Sequence, residues 1–248
     1  MSKSVSRAAL AGAVFVSVAS FATTTAKAFE FSGARVGAEY SRFSSKQDDG
    51  AGTSVTVDRA TIDSGLEFAI TPRISAQIDI VHHETTFDSA QSYGLHAIYH
   101  LEDGAAFGGF LQREESGGSH VNGFGVEYAR TMGAVDFELF ASKFNGDAED
   151  EATVFGGNGR YAMGGNFGLI LDAARVDFGE DTKLTRIALG TDYQVNDSTT
   201  LYLTGGSARL STDLGSTSEG FVAIGAKINL GRGTTFGNRS LLGLFPGL

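Results

Sequence analysis

Asp79, His83 and His96 come nearest, by type and spacing, to an acid–base centre in this chain. If the segments carrying Asp79 and His96 pair as adjacent strands, the two side chains share a face, with His83 above them. An Asp/His couple so placed can orient and polarise an attacking water, as a general base must. A polar pair in a wet interior is the plainer reading of the same residues. Ser207 and Ser211 lie far along the chain from any histidine, so no serine triad is indicated. The chain has no cysteine, which removes thiol catalysis and cysteine-ligated metals. The acidic run at 146–151 has the composition of a cation site but no recognised ligand spacing, and reads as a solvated loop. Gly123-Phe124-Gly125 and Gly156-Gly157-Asn158-Gly159 lack the strand–helix context of a phosphate cradle. No catalytic residue, metal ligand or cofactor is assigned on these grounds.

The elements that must position these groups are strands. Ala34, Val36, Ala38 and Tyr40 alternate with Arg35, Gly37 and Glu39; Ala60, Ile62, Leu66 and Phe68 oppose Arg59, Asp63 and Glu67. The same period of two sets Ile78 and Ile80 against Gln77 and Asp79, and Leu95, Ala97 and Tyr99 against His96 and His100. It continues to Val222, Ile224, Ala226, Ile228 and Leu230 against Gly225, Lys227 and Asn229, about a dozen segments in all, with no amphipathic helix between them. Two segments are weaker: 155–163 is glycine-rich, and 201–210 is mixed on both faces.

Turn chemistry at 71–73, 102–104, 131–133, 164–165 and 196–198 marks short connections. Longer ones are expected at 44–53, 84–91, 114–119, 145–152, 178–182 and 212–219, so short and long alternate. This rhythm predicts an all-β fold: a transmembrane, antiparallel, up-and-down β-barrel of about 12 strands, with short periplasmic turns and longer outer loops. On that topology Phe107, Tyr128, Phe137, Phe167 and Tyr193 form an outward band near the periplasmic ends. Tyr40, Tyr93, Phe124 and Phe155 form another near the outer ends.

The ends and the charge agree with this compartment. Lys3 and Arg7, an apolar stretch over 8–18 and the Ala26-Lys27-Ala28 site make 1–28 a signal peptide, cleaved after Ala28. The barrel is placed at 29–230, leaving 231–248 as a C-terminal periplasmic tail or an extension of the last strand. Without Lys3, Arg7 and Lys27, 16 basic side chains face 29 acidic ones. Nucleic acid is therefore excluded as a partner, since phosphate binding needs clustered Lys and Arg. The 34 glycines and only two prolines suit closely packed strands.

A leader, about twelve amphipathic strands and polar outer loops over 31–230 resemble the small outer-membrane porins and channels of Gram-negative bacteria. In size the chain is similar to the twelve-stranded oligogalacturonate-specific and sialic-acid porins. The resemblance lies in pattern rather than in a motif. It implies location in the outer membrane and passive diffusion of small hydrophilic solutes through a narrow lumen, with no cofactor. It also implies outer-membrane lipid, lipopolysaccharide and the barrel-assembly machinery as partners, and leaves a homo-oligomer open. Two features depart from it: the acidic-sugar porins line their lumen with arginines, and the chain runs on beyond Leu230 where such barrels usually end on an aromatic strand.

By parity the inward, pore-lining set is Arg35, Glu39, Arg59, Asp63, Glu67, Asp79, His96, Glu127, Asp136, Glu138, Arg160, Asp172, Arg186, Asp192 and Lys227. Carboxylates dominate it, so a conducting lumen is expected to prefer cations weakly. A closed barrel, filled by its own ion pairs and acting through its loops, is the alternative. A hydrolase using the Asp79/His96 pair is the third reading.

Overall fold

The computed structural model describes residues 29–48, 54–146, 151–179 and 181–244. The expected signal peptide and most of the acidic 146–151 run lie outside the described residues. Twelve strands follow one another: β1 (Glu30–Asp48), β2 (Ser54–Thr71), β3 (Ile74–Thr85), β4 (Ser89–His100), β5 (Ala105–Ser116) and β6 (Ser119–Met132). The second half holds β7 (Val135–Gly146), β8 (Glu151–Gly164), β9 (Phe167–Asp177), β10 (Lys183–Gln194), β11 (Thr199–Thr212) and β12 (Gly215–Gly231). Each pairs antiparallel with its sequence neighbours, and β1 closes on β12 from Gly33↔Gly231 to Phe43↔Phe221. Closure leaves no unpaired sheet edge, which hydrocarbon would penalise heavily. Both weak segments form full strands, β8 and β11.

Three of the outer connections are shorter than expected, while that at 178–182 has the expected bounds. Residues 86–88, 117–118 and 213–214 suffice where loops of six to eight residues were anticipated. The cause is polarity on both faces. Segments such as Ser216-Thr217-Ser218-Glu219 lack a hydrophobic alternation to betray them, yet they continue the β11–β12 ladder. At the tightest of these hairpins Gly117 and Gly118 both take positive φ (59° and 85°), the conformation a two-residue primed turn demands.

The outward face is apolar. Leu111, Val126, Leu189 and Ile224 are each at least 60% exposed, an arrangement suited to lipid and not to water. Rings near the periplasmic ends contact one another across strands, Phe107 with Tyr128 at 4.7 Å and Phe167 with Tyr193 at 5.0 Å between centroids. No helix among the described residues is long and apolar enough to cross a membrane; the strands do so. The chain is a closed twelve-stranded β-barrel with an apolar outer wall.

The C-terminal residues depart from expectation. They neither extend the last strand nor stand out in the periplasm. Gly231 and Gly233, at φ 63° and 72°, reverse the chain at the periplasmic rim. Residues 234–244 then run back up the lumen and end in a short 3-10 turn, Leu242–Leu244. A polar lumen could not be told from the tail's own sequence to be its destination, because its anchors lie on six different strands.

Candidate functional site

The backbone of 234–242 pairs with no strand, so its polar groups must be met largely by inward side chains. Glu67 on β2 accepts from the Thr235 N–H at 2.7 Å. Gln77 on β3 treats Phe236 as a strand would. Its amide oxygen accepts from the Phe236 N–H at 3.2 Å, and its nitrogen donates to the Phe236 carbonyl at 2.9 Å. Arg35 on β1 donates to that same carbonyl, also at 2.9 Å, and to the Thr234 hydroxyl at 3.0 Å. Near the outer end, the two oxygens of Glu114 on β5 accept from the Leu241 and Leu242 N–H groups at 2.5 and 2.8 Å.

Side chains of the segment supply the remaining anchors. The Phe236 ring is fully buried, packed with Ile98 and Ala106 and stacked on His96 at 6.4 Å. Arg239 donates to Glu127 at 2.9 Å and to Glu138 at 2.8 Å, its guanidinium 4.7 Å from the Phe140 ring. The Ser240 hydroxyl meets Nε2 of His83 at 3.0 Å. Leu241 fills an apolar nest of Phe144, Val154, Val176, Leu184 and Ala208 near the outer mouth. The segment is thus latched by apolar contacts at two levels, Phe236 below and Leu241 above.

Asp79 and His96 do come together. Asp79 pairs with Gly94 and His96 with Gln77, so they meet on the diagonal, with His96 Nε2 3.1 Å from Asp79 Oδ2. The other ring nitrogen, Nδ1, lies 2.6 Å from Glu127 Oε1. The ring is sandwiched between Phe110 and Phe236 and is 2% exposed. Neither nitrogen is left for a substrate. His83 takes no part; its nitrogens face Thr61 and Ser240. The pair belongs to a chain of buried contacts running Gln77, Asp79, His96, Glu127, Arg239, Glu138.

Most of the other inward residues border two cavities beside the segment. An outer cavity of about 330 Å³ is bordered by Arg35, Glu39, Arg59 and Asp63 on β1–β2, by Asp172 and Arg186 on β9–β10, and by Arg239 of the segment. An inner cavity of about 520 Å³ opens toward the periplasmic end beside Glu67, Asp136, Arg160 and Arg232. Glu138, Asn158 and Lys227 line both. Much of the charge here is paired: Arg35 with Asp63 at 3.0 Å, Arg160 with Asp192 at 2.6 Å, and Arg186 with Asp172. Tyr202 donates to Glu39 at 3.2 Å. Asp79, His96 and Glu127, by contrast, lie beneath the C-terminal segment.

Sequence reasoning missed Glu114, assigned to a loop because the strand carrying it runs past the expected membrane edge. It also missed Phe236, Arg239 and Leu241, whose part depends on where the tail goes. Two arginines, Arg232 and Arg239, and a Leu-Leu pair in a glycine-rich tail were the one available signal.

No protein-family model matches the chain, and no curated protein matches it in sequence. Its fold does match solved outer-membrane barrels. A NanC porin aligns with TM-score 0.59 at 10% identity, over 78% of this chain and 98% of that one. The COG4313 outer membrane channel from Pseudomonas putida F1 aligns with TM-score 0.56 at 12% identity, over 80% and 96%. A KdgM porin in complex with disordered oligogalacturonate gives 0.54 at 7% identity, over 78% and 98%. At such identities the likeness is one of fold, a closed β-barrel.

Proposed function

We propose that the protein is a porin-like channel for passive diffusion of small hydrophilic solutes, conducting along one side of a lumen whose other side its own C-terminal segment fills. The observation that carries this reading is the pair of cavities sharing Glu138, Asn158 and Lys227. One opens toward the periplasmic mouth and the other lies toward the outer end, and their meeting at these three residues supports a polar route beside the segment. No energy coupling or cofactor enters. Width and wall charge do the selecting, as in any narrow diffusive pore. A preference for cations, anticipated from the acidic balance of the inward set, presumes that every carboxylate meets the passage; Asp79 and Glu127 are covered.

The test is single-channel recording of the purified, folded protein in a planar bilayer. Discrete, reproducible steps are expected. A folded, inserted barrel that never conducts would replace this reading with the closed, structural barrel, which the complete burial of Phe236 inside the barrel favours. We assign the Asp79/His96 pair to anchoring the segment, because both ring nitrogens are already engaged.

A further inference from the structure

We propose that the C-terminal segment sets the ion preference of this passage: it covers the acidic wall of the lumen, so that solutes run past a slightly cationic one on which Lys227 is the deciding charge. This rests on the channel reading above.

Counted over all strands, the inward charges are mostly carboxylates. The segment does not cover them evenly. It lies against the β3–β6 wall, where Asp79, Glu114 and Glu127 are each 3% exposed or less. Their oxygens are consumed by His96, by the guanidinium of Arg239 and by the N–H groups of Leu241 and Leu242. What remains beside the passage has the opposite balance. Five cationic side chains against four anionic ones line the outer cavity and four against three the inner, with Arg35, Arg59, Arg239 and Glu67 each showing only a few per cent of their surface.

The shared neck sharpens this. Of its three residues Asn158 is neutral, and Glu138 spends Oε2 on the Gly237 N–H and on Arg239. Lys227 is exposed to the lumen and, among the described residues, has no ion-pair partner within 4 Å. In a narrow passage walled by low-dielectric protein, one charge at the constriction that no ion pair ties down governs ion preference more than the sum over the barrel. Arg239 is therefore a specificity-determining residue through Glu138, and Lys227 directly.

The experiment is the reversal potential under a KCl gradient for the intact chain, for Lys227→Glu and for a chain truncated after Gly231. The intact channel is expected to prefer chloride weakly. Lys227→Glu, which alters an exposed and unpaired side chain, should raise the potassium-to-chloride permeability ratio about threefold or more. Truncation should move it further in the same direction with a larger conductance, as Asp79, Glu114 and Glu127 are bared. If the intact chain conducts but Lys227→Glu leaves its reversal potential where it was, the proposal fails and the channel stands. A cation preference already present in the intact chain overturns it equally. If only the truncated chain conducts, the segment is a stopper, and this proposal falls together with the channel reading. Silence from both chains sinks the two together as well.

Discussion

Arg239 and Glu127, 112 residues apart in sequence, meet in the lumen at 2.9 Å with both side chains all but sealed from solvent. The contact joins a tail to the barrel wall and, through the second bond of Arg239 to Glu138, bridges β6 and β7. Removing one partner of a buried, hydrogen-bonded charge pair typically costs about 3–5 kcal/mol, because the other charge is left unpaired. Arg239→Ala should therefore undock the segment and leave the barrel folded. Limited proteolysis, read by mass spectrometry, should then cut within 232–244, a region resistant in the parent. Equal resistance in both proteins would show that Arg239 does not hold the segment.

The chain lacks cysteine, so single introduced thiols report lumen access cleanly. Lys227→Cys faces the passage and should react with a small charged maleimide or methanethiosulfonate. Gln77→Cys, at a position with no exposed surface, should react slower by about tenfold or more until the segment is removed. Comparable labelling at both positions would mean that the segment does not occupy the β3 wall.

The reversal at the periplasmic rim depends on Gly231 and Gly233 in left-handed conformations. A side chain there costs about 1–2 kcal/mol per residue, more when β-branched. The fit is also close across the barrel seam: a Cβ on Gly33 would lie 2.0 Å from the Gly233 carbonyl oxygen, backbone that cannot swing aside. Gly33→Ala and Gly233→Val are each expected to speed amide hydrogen exchange across 234–242 while β3–β6 keep their protection. Unchanged exchange in both variants would place the hinge elsewhere.

Outward and inward faces should respond oppositely to charge. Leu189, midway along β10 and 61% exposed to lipid, is expected to lose about 2–4 kcal/mol of folding stability on replacement by arginine. Asn158→Lys at the neck keeps its charge in a wet lumen and should cost far less. Unfolding in denaturant with lipid vesicles compares the two. A tolerated Leu189→Arg would contradict the membrane-facing assignment of this parity.

The barrel was legible because hydrocarbon imposes a local rule. Every membrane-crossing residue must alternate, so Phe31, Leu95 or Ile224 declares its face from its nearest neighbours alone. The outer strand ends were not legible: above the membrane both faces meet water, and residues such as Glu114 and Ser216–Glu219 carry no alternation. The Asp79–His96 contact followed from hairpin pairing and was foreseen. Its surroundings were not, because Glu127 comes from a third strand and Phe236 from the far end of the chain.

By itself, then, the sequence determined the strands, their faces, the aromatic bands and the compartment, each set by contacts a few residues apart or by the solvent a face must meet. Only the tertiary structure decided which inward charges are covered and which line a passage. That depends on the path of residues 232–244, whose backbone is satisfied by Arg35, Glu67, Gln77, Glu114 and Glu138 on separate strands, groups that closure of the β1–β12 seam brings within reach. Pairing across such distances leaves no period in the chain, because it is written in three-dimensional proximity and not in spacing.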